Sequence, residues 1–208
     1  GTLRVRSYGD LQSIDPAFSK GVIDEEIHAS IYNKLIQYKP GEEWGWQLDA
    51  ATMIEQVDPT HIKFALRDDI GFTNGFGAMT AEDVKFNMER IVDDATDSPN
   101  KPDLGPFSHV EVTGEREGTI VLNKPFAPIW SIALPYITGN IVSKAAVEAA
   151  GGRIGADLAR AHRRPAGRAG RSADADDGRA DRPRLRPGRH RDLAGDVGRE
   201  RSLCARRH

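Results

Sequence analysis

Residues 57–92, VDPTHIKFALRDDIGFTNGFGAMTAEDVKFNMERIV, constrain the fold more than any other stretch, because four local signals follow one another in a single order. Asp58-Pro59-Thr60 reads as a turn, since proline fixes φ and aspartate tolerates turn geometry. Ile62, Phe64 and Leu66 alternate with polar or small residues, the period of a half-buried strand. Asn74-Gly75 and Gly77 supply a loop able to adopt positive φ. Thr80 then opens a helix, with Glu82 and Asp83 in its first turn, where the helix dipole favours acid. Val84, Met88, Ile91 and Val92 follow at helical spacing and give that helix one apolar face.

The flanking sequence reads as mixed strands and helices with short connections, which points to an α/β or α+β architecture. Residues 3–7 alternate like a strand. Asp24 is placed to cap a helix over 25–37, whose apolar stripe is Ile27, Ile31, Leu35 and Ile36, ended by Pro40-Gly41. Residues 48–57 fit either a helix or a short pair of strands. A polar, proline-bearing loop spans 93–106, and strands over 110–113 and 119–123 flank a hairpin at Gly114-Glu115-Arg116-Glu117-Gly118. A short helix is expected over 129–134, and Ser143 caps another that runs to Ala150 and closes at Gly151-Gly152.

Composition changes near Gly155. Residues 1–155 carry 14 basic against 23 acidic residues, a net −9, whereas 156–208 carry 15 arginines, no lysine and 8 acids, a net +7. Every Phe, Trp, Tyr, Ile and Met lies before the boundary, and the large aliphatics beyond it are Leu158, Leu185, Leu193, Val197 and Leu203. Ordering a backbone costs roughly 1–2 kcal/mol per residue, so a segment this poor in apolar mass is expected to be disordered.

No catalytic pattern is present: there is no G-x-S-x-G elbow, phosphate loop or H-E-x-x-H. His28, His61 and His109 are each isolated in sequence, so no enzyme activity and no cofactor is expected. The run Asp174-Ala175-Asp176-Asp177-Gly178 fails as a calcium loop, since its fifth position is Gly178 and its twelfth Leu185. Cys204 stands alone, which rules out an intramolecular disulfide. No run approaches the ~20 apolar residues of a membrane-spanning helix, and the start, Gly1-Thr2-Leu3, lacks a signal-peptide pattern. The arginine-rich tail raises the alternative of a nucleic-acid-interacting protein, because clustered arginines neutralise phosphates without reading sequence. It lacks aromatics that stack on bases, and its 8 acids dilute its charge, so no specific nucleic-acid binding is expected.

Asp58-Pro59-Thr60, Phe64-Ala65-Leu66-Arg67, Phe72-Thr73-Asn74-Gly75 and Thr80-Ala81-Glu82-Asp83-Val84 together resemble the hallmark segment of the family 5 extracytoplasmic solute-binding proteins, the peptide- and nickel-type binding components of ABC importers. The likeness extends more weakly over residues 3 to about 152. It departs at Asn74, where the family usually has Asp, and at Gly77-Ala78, where proline is frequent; both positions lie in a loop. The resemblance implies the N-terminal portion of a periplasmic-binding-protein type II fold, followed here by the disordered arginine-rich tail. Residues 1–44 would begin the first lobe, 45–142 form the small second domain, 143–155 start the return to the first lobe, and 156–208 be non-native or disordered. Nothing like the family's usual G-T-G-P-Y motif follows Gly155, and a frameshift product is expected there.

The resemblance further implies a non-enzymatic, periplasmic or otherwise extracytoplasmic protein that binds a peptide or similar small solute and works with an ABC importer's membrane permease. In the family's peptide binders, the segment before the first helix lines a cleft that closes about a hinge, which corresponds to Ser19-Lys20-Gly21-Val22 here. Gly21 either lets a ligand backbone approach or simply turns the chain into the helix. Lys20, Gly21 and Val22, with Phe107 and Trp130 as apolar contacts, are the candidate ligand-binding residues. For Trp130 core packing is the competing role, and for Trp44 and Trp46 a hinge or packing role is expected. The family's acidic partner for a peptide amino group comes from the C-terminal lobe, so little peptide affinity is expected of this chain, together with self-association through exposed apolar surface.

Overall fold

The turn at 58–61 sets the register of the main sheet. The computed structural model describes residues 2, 4, 6–41 and 45–155, all within the unit Gly1–Gly167. Trp44 and the readings made for 156–208 lie outside the described residues. In chain order the elements are α1 (Val22–Ile31), β1 (Ile36–Tyr38), β2 (Trp46–Leu48), β3 (Ala51–Asp58), β4 (His61–Leu66), α2 (Ala81–Val92), β5 (Phe107–Val112), β6 (Glu117–Leu122) and α3 (Lys144–Ala149). Short 3-10 turns lie at Pro16–Phe18, Lys101–Leu104, Ala127–Trp130 and Ile137–Gly139.

At the β3–β4 turn, Asp58 Oδ1 accepts from the amides of Thr60 (2.8 Å) and His61 (2.9 Å). The Thr60 amide, then the His61 ring, hold the Asp58 carboxyl down at about 2. This self-bonding aspartate turn aligns Ile54 with Phe64 and Gln56 with Ile62. The sheet is antiparallel throughout, in the order β3-β4-β6-β5. The alternation read in β4 is realised: Ile62, Phe64 and Leu66 are 0, 1 and 5% exposed, while Lys63 faces solvent. Phe64 lies over Gly118 of β6, where a Cβ would sit 2.7 Å from the ring, so this strand position requires glycine.

Helix α2 covers the sheet along β5 and contributes Val84, Met88 and Ile91 to the core. Its start is tied by Asp83 Oδ2, which accepts from the Thr80 amide (3.0 Å) and hydroxyl (2.8 Å). Asp83 Oδ1 accepts from the Lys144 amide (2.9 Å) at the start of α3, so one carboxylate serves two helix N-termini. In the loop ahead of α2, Asn74 and Gly75 adopt φ of 60° and 79°. The hairpin pairs Val110 with Ile120 as its alternation requires.

Several expectations change. Arg4, Arg6 and Ser7 are not in a strand, and Leu3 and Val5 lie outside the described residues. The first helix starts at Val22 and ends at Ile31, so Leu35 and Ile36 belong to an extended segment in which Ile36 pairs with Leu48. Asp24 therefore sits inside the helix and Gly21 is its N-cap. The buried face of α1 is Asp24, Glu25 and His28, while Ile31 is half exposed: long-range polar contacts, absent from any local period, oriented this helix. Residues 48–57 resolve as the end of β2 followed by β3, and the short helix near 129 is the 3-10 turn Ala127–Trp130.

Candidate functional site

Residues 12–21 carry little regular structure, yet they are fastened on all sides by buried polar groups. Asp24 accepts from the amides of Gln12 (2.7 Å), Ser13 (3.4 Å) and Lys20 (2.9 Å) and closes the loop against α1. Asp15 takes the two terminal guanidinium nitrogens of Arg90 on α2, at 2.6 and 3.2 Å, with the amides of Ala17 and Ile154 on the same carboxylate. Ser98 Oγ donates to the Ala17 carbonyl (2.6 Å), and Asn100 Nδ2 to those of Pro16 (3.2 Å) and Ser19 (3.1 Å). His28 Nε2 donates to the Ser13 carbonyl (2.9 Å), since a carbonyl can only accept. Removing one partner of a buried charge pair such as Asp15–Arg90 costs about 3–5 kcal/mol, so this loop is a rigid platform.

The platform ends at the triplet singled out in the sequence. Lys20 is exposed and Val22 is 65% exposed. Gly21 has φ 137°, and a Cβ built there meets nothing within 4 Å. The Lys20 carbonyl and Gly21 amide have no intramolecular partner among the described residues. The other two candidates are placed differently. Phe107 is buried at the start of β5, within the core cluster. Trp130 is half buried, stacks on Trp46 with centroids 5.4 Å apart at 17°, and donates from Nε1 to Gln56 (3.3 Å). No hydrogen bond or aromatic contact joins Lys20, Gly21 or Val22 to Phe107 or Trp130 among the described residues.

One turn into α1, Glu25 accepts from Lys34 Nζ and Asn140 Nδ2, both at 2.9 Å. Its charge reaches two partly exposed phenols: burial, then Glu25, pushes the pKa of both Tyr38 and Tyr136 above the ordinary phenol value. Their rings lie 6.4 Å apart, and the Tyr38 hydroxyl donates to the Ser131 carbonyl. Sequence reading missed Glu25, Tyr38, Tyr136 and the Asp15–Arg90 pair, because their partners are up to 115 residues away and no local period marks them. A separate apolar cavity of about 440 Å³, lined by Ile14, Ile31, Phe72, Ile141 and Ala146 among others, lies at the opposite end of α1 from Gly21. Among the described residues no group of three or more His, Cys, Asp or Glu could hold a metal ion, and no helix is long and apolar enough to cross a membrane.

The fold has counterparts among solved structures. The chain superposes on MoaA of A. tumefaciens in complex with mannopinic acid with a TM-score of 0.63 and 25% identity, over 68% of this chain and 29% of that one. OppA of Haemophilus influenzae, in complex with the peptide RPPGFSPFR, matches with a TM-score of 0.59 and 23% identity, over 66% of this chain and 30% of that one. AppA of Bacillus subtilis, in complex with a nonapeptide, gives 0.63 and 19%, over 68% and 27%. The chain thus spans less than a third of the length of each. No curated protein sequence matches it. The profile of the bacterial extracellular solute-binding proteins, family 5 Middle, matches residues 46–167, reaching past Gly155 where the composition changes. That match covers more than half of the chain and contains the turn, strand, glycine loop and capped helix of residues 57–92, and the chain therefore belongs to family 5 of the bacterial extracellular solute-binding proteins, which are binding proteins and not enzymes.

Proposed function

We propose that this chain supplies one wall of the solute cleft of an extracytoplasmic binding protein that serves an ABC importer, with the importer's membrane permease as its protein partner. The solute is a peptide or a related small molecule, in keeping with the peptides and the opine held by the similar structures. In this reading residues 1–44 belong to the first lobe, 45–142 to the small second domain and 143–155 to the return. The Asn33–Ile141 bridge and the amide bonds of Asp49 and Ala50 to Leu35 and Lys34 fit chain crossings near those boundaries.

One observation carries the proposal. The rigid loop 12–21 presents a carbonyl at Lys20 and an amide at Gly21 that have no partner among the described residues, with open space above the glycine. An extended peptide added as a strand uses such main-chain groups and tolerates many side chains. The wall described here covers one side of a bound strand, and by itself it holds the solute weakly.

The test is an amide-shift titration of the chain with tri-alanine. Shifts concentrated at Lys20, Gly21 and Val22, with a dissociation constant near ~1 mM and binding lost in Gly21→Val, support the reading. Binding at micromolar concentration or tighter sinks the single-wall account, and shifts that leave these residues untouched sink the site.

A further inference from the structure

Residues 151–155 return to the loop that precedes Gly21. Helix α3 closes at Gly151 and Gly152, with φ of 75° and 95°, and their amides bond back to the carbonyls of Glu148 and Val147. This left-handed close brings the next two residues onto residues 15–18. The Ile154 amide donates to Asp15 Oδ2 (3.1 Å), the oxygen that also accepts from Arg90 (3.2 Å). The Arg153 guanidinium carbon lies 4.1 Å from the centroid of the Phe18 ring. Lys34, Arg67, Arg90 and Lys101 all sit on carboxylates, whereas Arg153 is half buried over an aromatic face. A guanidinium there is held by the ring's quadrupole, more strongly when partly desolvated than when fully exposed.

Phe18 packs on the edge of the core and is the last large apolar side chain before Lys20. The other tethers of the loop named above are hydrogen bonds, and they fix where its main chain runs. None of them reaches the Lys20 carbonyl or the Gly21 amide, which belong to one peptide plane. Between the Phe18 ring and that plane there is no slack. The Ser19 amide is bonded to the Pro16 carbonyl (3.2 Å), and the Lys20 amide to Asp24 (2.9 Å). A displacement of Phe18 is therefore passed on to the plane rather than absorbed.

We propose that Arg153 is a positioning residue for the solute wall: by clamping the Phe18 ring it sets the orientation of the Lys20–Gly21 peptide plane, to which an added strand bonds. This deepens the peptide-binding reading above and rests on it for the identity of the solute.

The test uses the whole 208-residue chain, its amide spectrum without ligand, and the tri-alanine titration. Arg153→Leu, which keeps apolar cover but no charge, should move the amide signals of Lys20 and Gly21 in the free chain and weaken tri-alanine by about threefold. Arg153→Lys keeps a cation for the ring and should retain most of the binding. Phe18→Leu should weaken tri-alanine by a similar factor, and adding Arg153→Leu to it should weaken it no further, because the guanidinium then has no ring to act through. Lys63→Met, which removes a solvent-facing cation of β4, should change neither readout. Unmoved Lys20 and Gly21 amides in Arg153→Leu overturn the positioning role. So does an additive loss in the double variant, which would mean that the guanidinium meets the peptide itself. If the unsubstituted chain binds tri-alanine at residues 20–22 and Arg153→Leu is indifferent, this inference alone falls. If the unsubstituted chain fails to bind there, the solute reading falls, and the free-chain signals still decide whether Arg153 sets the plane.

Discussion

The four-stranded sheet with α2, and the loop 12–21 with α1, are held together by opposite means. In the sheet, Ile62, Phe64 and Leu66 share one apolar cluster with Val84, Met88 and Ile91 of α2, and β3–β4 and β5–β6 pair as near sequence neighbours while β4–β6 joins the two hairpins. Around the loop, the interior is a set of carboxylates, amides and one guanidinium, and the partners are 75 or more residues apart for Asp15–Arg90 and the Ser98 and Asn100 bonds. Apolar packing is non-directional and tolerates small shifts, whereas bonded polar groups specify a backbone position and are costly when one partner is lost. The region proposed to meet the solute is the one fixed by directional contacts.

The largest effects should separate these two modes. Phe64→Ala should cost about 3–5 kcal/mol, and its loss of hydrogen-exchange protection should spread over the whole sheet. Arg90→Met should cost a similar ~3–5 kcal/mol, because Asp15 is left charged and buried, but the protection lost first should be that of residues 12–21. Uniform loss in both variants would mean that the two regions unfold as one unit and that the contrast has no energetic content.

A smaller effect concerns alkaline pH. The Tyr32 hydroxyl donates to the Ile14 carbonyl (2.9 Å), and burial, then the Asp15 charge, pushes its pKa up to about 12, with Arg90 opposing. A group raised in the fold is stabilising below its ordinary value near 10 and loses that contribution as pH rises through about 12. Stability should therefore fall over this window, and Tyr32→Phe should flatten the fall in a series of urea melts. An unchanged slope in the variant would remove Tyr32 from the account.

The contrast also explains what was legible. The β4 alternation, the α2 stripe and the 110–120 hairpin were readable because each buries its own periodic face against near neighbours. The first helix was readable in existence but not in extent or orientation. Its aliphatic positions Ile27 and Ile31 suggested the inward face, yet Asp24, Glu25 and His28 turn inward because Ser13, Lys20, Lys34 and Asn140 await them there. Of the proposed site, the exposed triplet Lys20-Gly21-Val22 was reached through motif resemblance, whereas the buried contacts that fix the loop before it, Asp15 with Arg90 and Asn100 with the carbonyls of Pro16 and Ser19, carry no local signal.

What the amino-acid order determined on its own was the local grammar: a self-bonding aspartate turn, an alternating strand, a glycine loop and an acid-capped helix, all of which draw on contacts within a few residues. What only the tertiary structure decided was which polar groups meet. Arg90 finds Asp15, Asn140 finds Glu25, and Asn100 finds the carbonyls of Pro16 and Ser19. Charge and hydrogen-bond partners are chosen by distance in space, and a linear pattern carries that information only where chain neighbours are also spatial neighbours.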